Sequence, residues 1–239
     1  NQFTMGDSIT MSASGELDNG MTVSLSYEID NDDTGGGDVY DSHSMTVSGD
    51  FGSITFAGHG GSTAMSAVDD ITPNAYEESW DVVTNADQNN VNGLSGDNSF
   101  LYTSPDMGGA TIKVGYKPSD DTTNDVSYID FGIEAAVGMV DGLSVGFAMG
   151  ETEAVTSTVI DDQTMYVKYT TGPITAAYQM SESDGAAGSS DIEFEGMGVS
   201  YAVSDDFSIA YNVTSHDQAS TANDLSLIHI SEPTRLSAI

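Results

Sequence analysis

The chain has 239 residues, of which 38 are Asp or Glu and only 4 are Lys or Arg, giving a formal charge of −34 at pH 7. A phosphate-binding surface needs basic side chains to displace counterions, so this balance excludes nucleic acid as a partner. With no Cys there is no disulfide scaffold and no thiolate metal site, and no run approaches the ~18–20 apolar residues of a membrane helix.

The chain starts at Asn1 with no initiator Met, charged n-region or apolar h-region, so a signal peptide is expected to have been removed or never captured. From residue 21 the run Met-Thr-Val-Ser-Leu-Ser-Tyr-Glu-Ile alternates large apolar with small polar or acidic residues. Period-2 alternation makes a strand with one apolar and one polar face. The same rhythm predicts about twelve strands, near 8–17, 21–29, 42–50, 53–59, 99–104, 110–116, 125–139, 143–152, 163–170, 174–183, 191–203 and 207–216. Short Gly- and Asx-rich turns begin at residues 18, 50, 106, 141, 171 and 204, where tight hairpins need positive φ. Acid-, Gly- and hydroxyl-rich loops at 30–41, 117–124, 153–162 and 184–190 fall between them. Short turns and long loops thus segregate to opposite ends, as in an outer-membrane barrel.

Parity assigns the faces. Val23, Leu25, Tyr27, Ile54, Phe56, Ile112, Val114, Val145, Phe147, Tyr178, Met180, Ile209 and Tyr211 fall on one side. The opposite side carries Ser24, Ser26, Glu28, Lys113, Asp130, Glu134, Lys168, Gln179, Glu193, Glu195 and Asn212. A dry core does not hold such charges unpaired, whereas a water-filled lumen does. In strand 191–203 the pattern changes parity near Gly196, which predicts a bulge. Tyr27, Tyr102, Tyr116, Tyr201 and Phe207, near strand ends, are candidates for an interfacial aromatic girdle.

One turn interval, from 50 to 106, is far longer than the others and holds the loop 60–98. It contains Gly60-Gly61, the acids Asp69, Asp70, Glu77, Glu78, Asp81 and Asp87, and the single Trp80. An insertion of this length is functional or disordered.

Four stretches resemble the general porins of Gram-negative outer membranes, especially the alphaproteobacterial type. They are the Glu16-Leu17-Asp18-Asn19-Gly20-Met21-Thr22-Val23 stretch, Phe51-Gly52-Ser53-Ile54-Thr55-Phe56-Ala57-Gly58, Ala75-Tyr76-Glu77-Glu78 in the loop, and Asn98-Ser99-Phe100-Leu101-Tyr102-Thr103-Ser104-Pro105. The resemblance covers residues 1 to about 224. It implies an all-β, antiparallel transmembrane barrel of about sixteen strands, of which about twelve lie here, the first and about three C-terminal strands falling outside the chain. It implies passive diffusion of small hydrophilic solutes and cations, no enzyme activity, no cofactor, a homotrimer in the intact protein, and residence among outer-membrane lipid and lipopolysaccharide. In that family the third external loop folds into the lumen, and counting strands puts 60–98 in its place. Asp69, Asp70, Glu77, Glu78 and Asp81 then form the acidic side of the constriction. Glu28, Lys113, Asp130, Glu134, Lys168, Glu193 and Glu195 line the wall, with cation preference following from the scarcity of bases. The family's basic cluster opposite the loop has no counterpart beyond Lys113 and Lys168.

Other chemistry is thinly supported. Gly142-Leu143-Ser144-Val145-Gly146 matches G-x-S-x-G, but that motif needs a strand-to-helix elbow and Ser144 sits in running strand alternation. His43, His59, His216 and His229 are dispersed, without metal-ligand spacing. Asp30-Asn31-Asp32-Asp33 and Asp120-Asp121 lack EF-hand spacing. A secreted acidic β-rich adhesin or calcium-binding surface protein is the alternative of a different class, in which the apolar faces would be internal. Residues 225–239, beginning Leu-Ser-Leu-Ile-His-Ile-Ser-Glu-Pro-Thr-Arg, break the pattern and resemble the one-frame translation of a transposase adapter used in sequencing libraries, which would end the native sequence near Asp224.

Overall fold

The computed structural model describes residues 8–29, 40–74, 91, 93–94, 96–119, 126–154, 159–185, 191–204, 207–218 and 221–231. Thirteen strands form one antiparallel sheet in which each pairs with the next. They are β1 (Ile9–Glu16), β2 (Thr22–Ile29), β3 (Tyr40–Gly49), β4 (Gly52–His59), β5 (Ser99–Thr103), β6 (Ala110–Lys117), β7 (Val126–Ala136), β8 (Leu143–Ala154), β9 (Val159–Thr171), β10 (Ile174–Gly185), β11 (Ile192–Ser204), β12 (Phe207–Gln218) and β13 (Thr221–Ser231). Twelve match the strands expected from alternation. The thirteenth, β13, pairs with β12 from Gln218↔Thr221 to Ser208↔Ser231, running through Leu225, where the sequence pattern breaks. The expected loop 153–162 is also shorter, because β8 and β9 stay in register up to Glu153↔Val159.

Two of the short turns show why glycine is required there. Gly52 has φ 98° and Gly142 φ 79°. A Cβ at either would lie 2.1 Å from the Thr103 carbonyl oxygen or 1.9 Å from that of Thr170, so both conformation and the neighbouring strand exclude a side chain.

The two faces of the sheet have inverted polarity. Val145, Met149, Met165, Val167, Tyr169, Met180, Met197, Val199, Ile209 and Tyr211 are exposed, while Asp130, Thr164, Gln179, Ser181, Asn212 and Thr214 are buried. Water would drive the opposite distribution; lipid outside and a polar interior account for this one. The sheet curls around its polar face, since the segment after β4 reaches β7, β8, β10 and β11 on that side.

The expected bulge at Gly196 is absent. Register between β10 and β11 runs unbroken from Ser183↔Ile192 to Ile174↔Tyr201, and the irregularity on β11 falls instead at Ala202/Ser204. Phe194 therefore points inward, 1% exposed, and Glu193 and Glu195 lie on the outer face opposite Glu182 and Met180. This corrects their expected place on the inner wall. The physical reason is level along the strand. Near the long-loop end the outer row Gln163, Glu182, Glu193 and Asp217 is polar across four strands, above the apolar band, so the apolar residue of β11 at this height turns inward.

Candidate functional site

The chain leaves β4 through a stitched neck. Gly61 N–H donates to the Gly96 carbonyl at 3.0 Å, Ser99 Oγ to the same carbonyl at 3.2 Å, and Asn98 N–H to Gly58 at 3.4 Å. His59 Nδ1 lies 2.6 Å from Asp97 Oδ1 across this neck. Beyond it the loop folds back onto the inner face. Ser66 N–H and Oγ bond Thr63 Oγ1 and the Thr63 carbonyl, both at 2.9 Å, closing a 3₁₀ turn over Met65–Ala67.

Three kinds of contact dock the turn. Met65 N–H donates to Asp130 Oδ2 on β7 at 2.8 Å, so a buried carboxylate satisfies a loop amide. Met65, Val68 and Val91 of the loop form an apolar cluster with Ala148 and Tyr166, flanked by Ala67, Ile71 and Ile192. Wall glycines supply clearance: a Cβ at Gly132 would lie 2.9 Å from the Ala64 carbonyl oxygen, and one at Gly198 2.7 Å from Thr72 Cγ2. Further along, the Gln179 amide of β10 donates through Nε2 to the Asp69 carbonyl and accepts Ile71 N–H at Oε1, 3.3 Å away.

Of the five acids expected at the constriction, two are described, and their environments differ. Asp69 is 9% exposed and its carboxyl is pushed up to about 7, first by burial and then by the negative charge of Asp70. Asp70 is exposed. Glu77, Glu78 and Asp81 lie outside the described residues. On the wall, Glu28, Lys113, Asp130, Glu134 and Lys168 share the inner face with Ser26, Gly132, Gly115, Gly146 and Ala177, their partners or neighbours in register. Glu193 and Glu195 do not join them.

Lys113 Nζ is 3.3 Å from Glu134 Oε2, and Tyr166 OH donates to Glu134 Oε1 at 3.2 Å. This ammonium is thus already matched by a carboxylate on the same wall. On β1 to β3, Ser12, Ser14, Ser24, Ser26, Ser44 and Thr46, together with Ala13 and Leu25, line an open cavity of about 360 Å³. Six hydroxyls thus stand together on these strands, and Glu28 of β2 accepts from Ser42 Oγ at 3.5 Å.

Sequence reasoning missed the docking residues Asp130 and Gln179 as anchors, although it placed both on the polar face. The available signal was glycine at inward positions of β6, β7 and β11, namely Gly115, Gly132, Gly196 and Gly198, which leaves room for a second layer of backbone. Ser144 of the G-x-S-x-G match sits in unbroken ladder, opposite Ala136 and Lys168, and forms no elbow. Among the described residues no cluster of His, Asp and Glu is placed to hold a metal ion.

Sequence comparison with curated proteins returns no significant match. The fold has solved counterparts. The chain is similar to the loop L8 deletion mutant of OmpT, an outer membrane protein of Vibrio cholerae, with 14% identity, 95% of this chain and 90% of that one covered, and a TM-score of 0.51. It is similar to an anion-selective porin from Comamonas acidovorans (13% identity, 94% and 89% covered, TM-score 0.51). Salmonella typhi OmpF, solved with daunomycin, aligns with a TM-score of 0.65 at 11% identity over 91% of this chain and 74% of that one. The sequence profile of the Gram-negative porins matches residues 1–231, nearly the whole chain. With a lipid-facing apolar band, a polar interior and a loop docked inside, the chain belongs to the Gram-negative porin family.

Proposed function

We propose that this outer-membrane channel passes small hydrophilic solutes and ions by passive diffusion and prefers cations. The observation that carries the preference is the charge arrangement at the docked loop: Asp70 is exposed there, while the wall ammonium of Lys113 is matched by Glu134. Fixed negative charge raises the local cation concentration along the path. Asp69 acts as part of the docking surface, and Glu77, Glu78 and Asp81 add to the negative side. Reversal potentials across a KCl gradient test this. Cation preference should be clear at low ionic strength and fade near 1 M, where the screening length shrinks to about 3 Å. Anion preference at low salt would overturn the reading.

The outward apolar band supports residence in outer-membrane lipid, with lipopolysaccharide at the level of the outward carboxylates Glu182, Glu193 and Glu195, and the intact protein forms a homotrimer. Residues 225–239 take no part in conduction.

A further inference from the structure

We propose that Gln179 is the positioning residue that sets ion preference, because it holds the loop peptide on either side of Asp70. The inference rests on the reading that loop acids select ions. Gln179 lies at the inward face of β10, 0% exposed and more than a hundred residues from the loop in sequence. Its one amide group serves two backbone groups of the same short segment: Nε2 donates to the Asp69 carbonyl, and Oε1 accepts the Ile71 N–H at 3.3 Å. These are the bonds that a neighbouring strand would make, supplied by a single side chain. Asp70 lies between the two clamped peptide groups and is exposed.

The orientation of the amide follows from its surroundings. Nε2 also reaches Ser181 Oγ at 3.3 Å, and Ser181 Oγ lies 2.6 Å from Thr164 Oγ1, which bonds the Met180 carbonyl at 3.2 Å. Flipping the amide would set its carbonyl against the Asp69 carbonyl and its NH₂ against the Ile71 N–H, breaking both contacts. Ser181 and Thr164 are themselves 4% and 0% exposed, so the clamp is braced by a buried hydroxyl chain that fixes the amide before the loop arrives. A further polar anchor, Met65 N–H on Asp130, lies several residues upstream, at the 3₁₀ turn.

The consequence is a division of labour between adjacent acids. Asp69 contributes its carbonyl to the clamp and is buried, while Asp70 supplies charge to the aqueous side. Releasing the clamp lets Asp70 move with the loop and spreads its charge over a larger volume, lowering its effect on passing ions.

The test compares Gln179→Leu, Gln179→Asn and Asp70→Asn in two measurements, with correct folding checked by electrophoretic mobility before heating. Leu keeps the bulk and removes both bonds; Asn keeps the amide but is one methylene too short to reach. Exchange of the Ile71 amide should quicken about five- to tenfold in both Gln179 variants, the loss expected for one hydrogen bond, and stay unchanged in Asp70→Asn. Reversal potentials at low salt should show the cation-to-anion permeability ratio of both Gln179 variants falling below that of the unmodified protein, toward that of Asp70→Asn. If Leu fails to fold, the Asn variant decides alone. An unchanged Ile71 exchange rate, or an unchanged permeability ratio where Asp70→Asn lowers it, overturns the role of Gln179. An unchanged ratio in Asp70→Asn itself overturns the loop-acid reading beneath it.

Discussion

Acidification should tighten the loop onto the wall, and Asp69 should be the group responsible. In the docked loop its carboxyl holds a proton up to about 7, against 3.8 for an ordinary Asp, because it is buried beside Asp70. The released loop therefore gives up this proton from about pH 4, while the docked loop keeps it until about 7. Between those limits the docked state binds more protons, so docking weakens as pH rises; above 7 both states are ionised and the loss is complete. At about 1.4 kcal/mol for each tenfold difference in proton affinity, the total is at most about 4 kcal/mol, since the part of the shift due to neighbouring Asp70 persists in the released loop. Asp69→Asn carries a permanently neutral isostere and should be flat across this range.

The absence of Cys in the chain makes a clean probe possible. Val68 is 0% exposed within the docked apolar cluster, so a thiol in a Val68→Cys variant reacts only when the loop lifts. Its labelling rate by dithiodipyridine, with and without Asp69→Asn, gives a ratio from which intrinsic thiol reactivity cancels. That ratio should be near one at pH 4, climb to pH 7 and then level off. A ratio that stays constant with pH would refute the assignment, since residue 69 is the one titratable group that differs between the two proteins.

Three further outcomes follow from the geometry. Gly198→Val should displace the loop from β11, because its Cβ alone would meet Thr72 Cγ2 at 2.7 Å and the Pro73 carbonyl at 3.0 Å. Faster labelling at Val68→Cys and a destabilisation of about 1–3 kcal/mol are expected, and unchanged labelling would count against the notch. Val145→Arg, on the lipid-facing side of β8, should cost about 2–4 kcal/mol in bilayer unfolding, far more than Ser144→Arg on the inner side; equal costs would reverse the face assignment. Glu134→Gln leaves the Lys113 ammonium without its carboxylate and should shift reversal potentials toward anions, whereas outward Glu195→Gln should leave them unmoved.

The strands were legible because alternation is a local property, and lipid outside with water inside enforces it at every pair of residues. It fails where the outer environment changes along a strand. In β11 the run Ile192-Glu193-Phe194-Glu195 has the same alternation as an apolar-out strand, yet Phe194 points in. Parity read from polarity alone assumed one outside solvent, and inserted a bulge at Gly196 to restore it. The inverted polarity also disposes of the soluble adhesin or calcium-binding alternative, whose apolar residues would have to be internal. Docking of the loop was illegible for a different reason. Gln179 and Asp130 look like any lumen polar residue, and their partners, the backbone groups of Met65, Asp69 and Ile71, carry no side-chain signature.

Sharing a fold with an anion-selective porin from Comamonas acidovorans separates architecture from preference. The sign of the ions such a channel favours depends on the charges at its aqueous surface. Here Lys113 is matched by Glu134, and Asp69 is buried as part of the dock. Asp70 remains at the aqueous surface of the turn, at a place defined by hydrogen bonds to the peptides on both sides. A buried uncharged amide is well suited to that task. It satisfies a donor and an acceptor together and adds no charge of its own to the field around the proposed selectivity site.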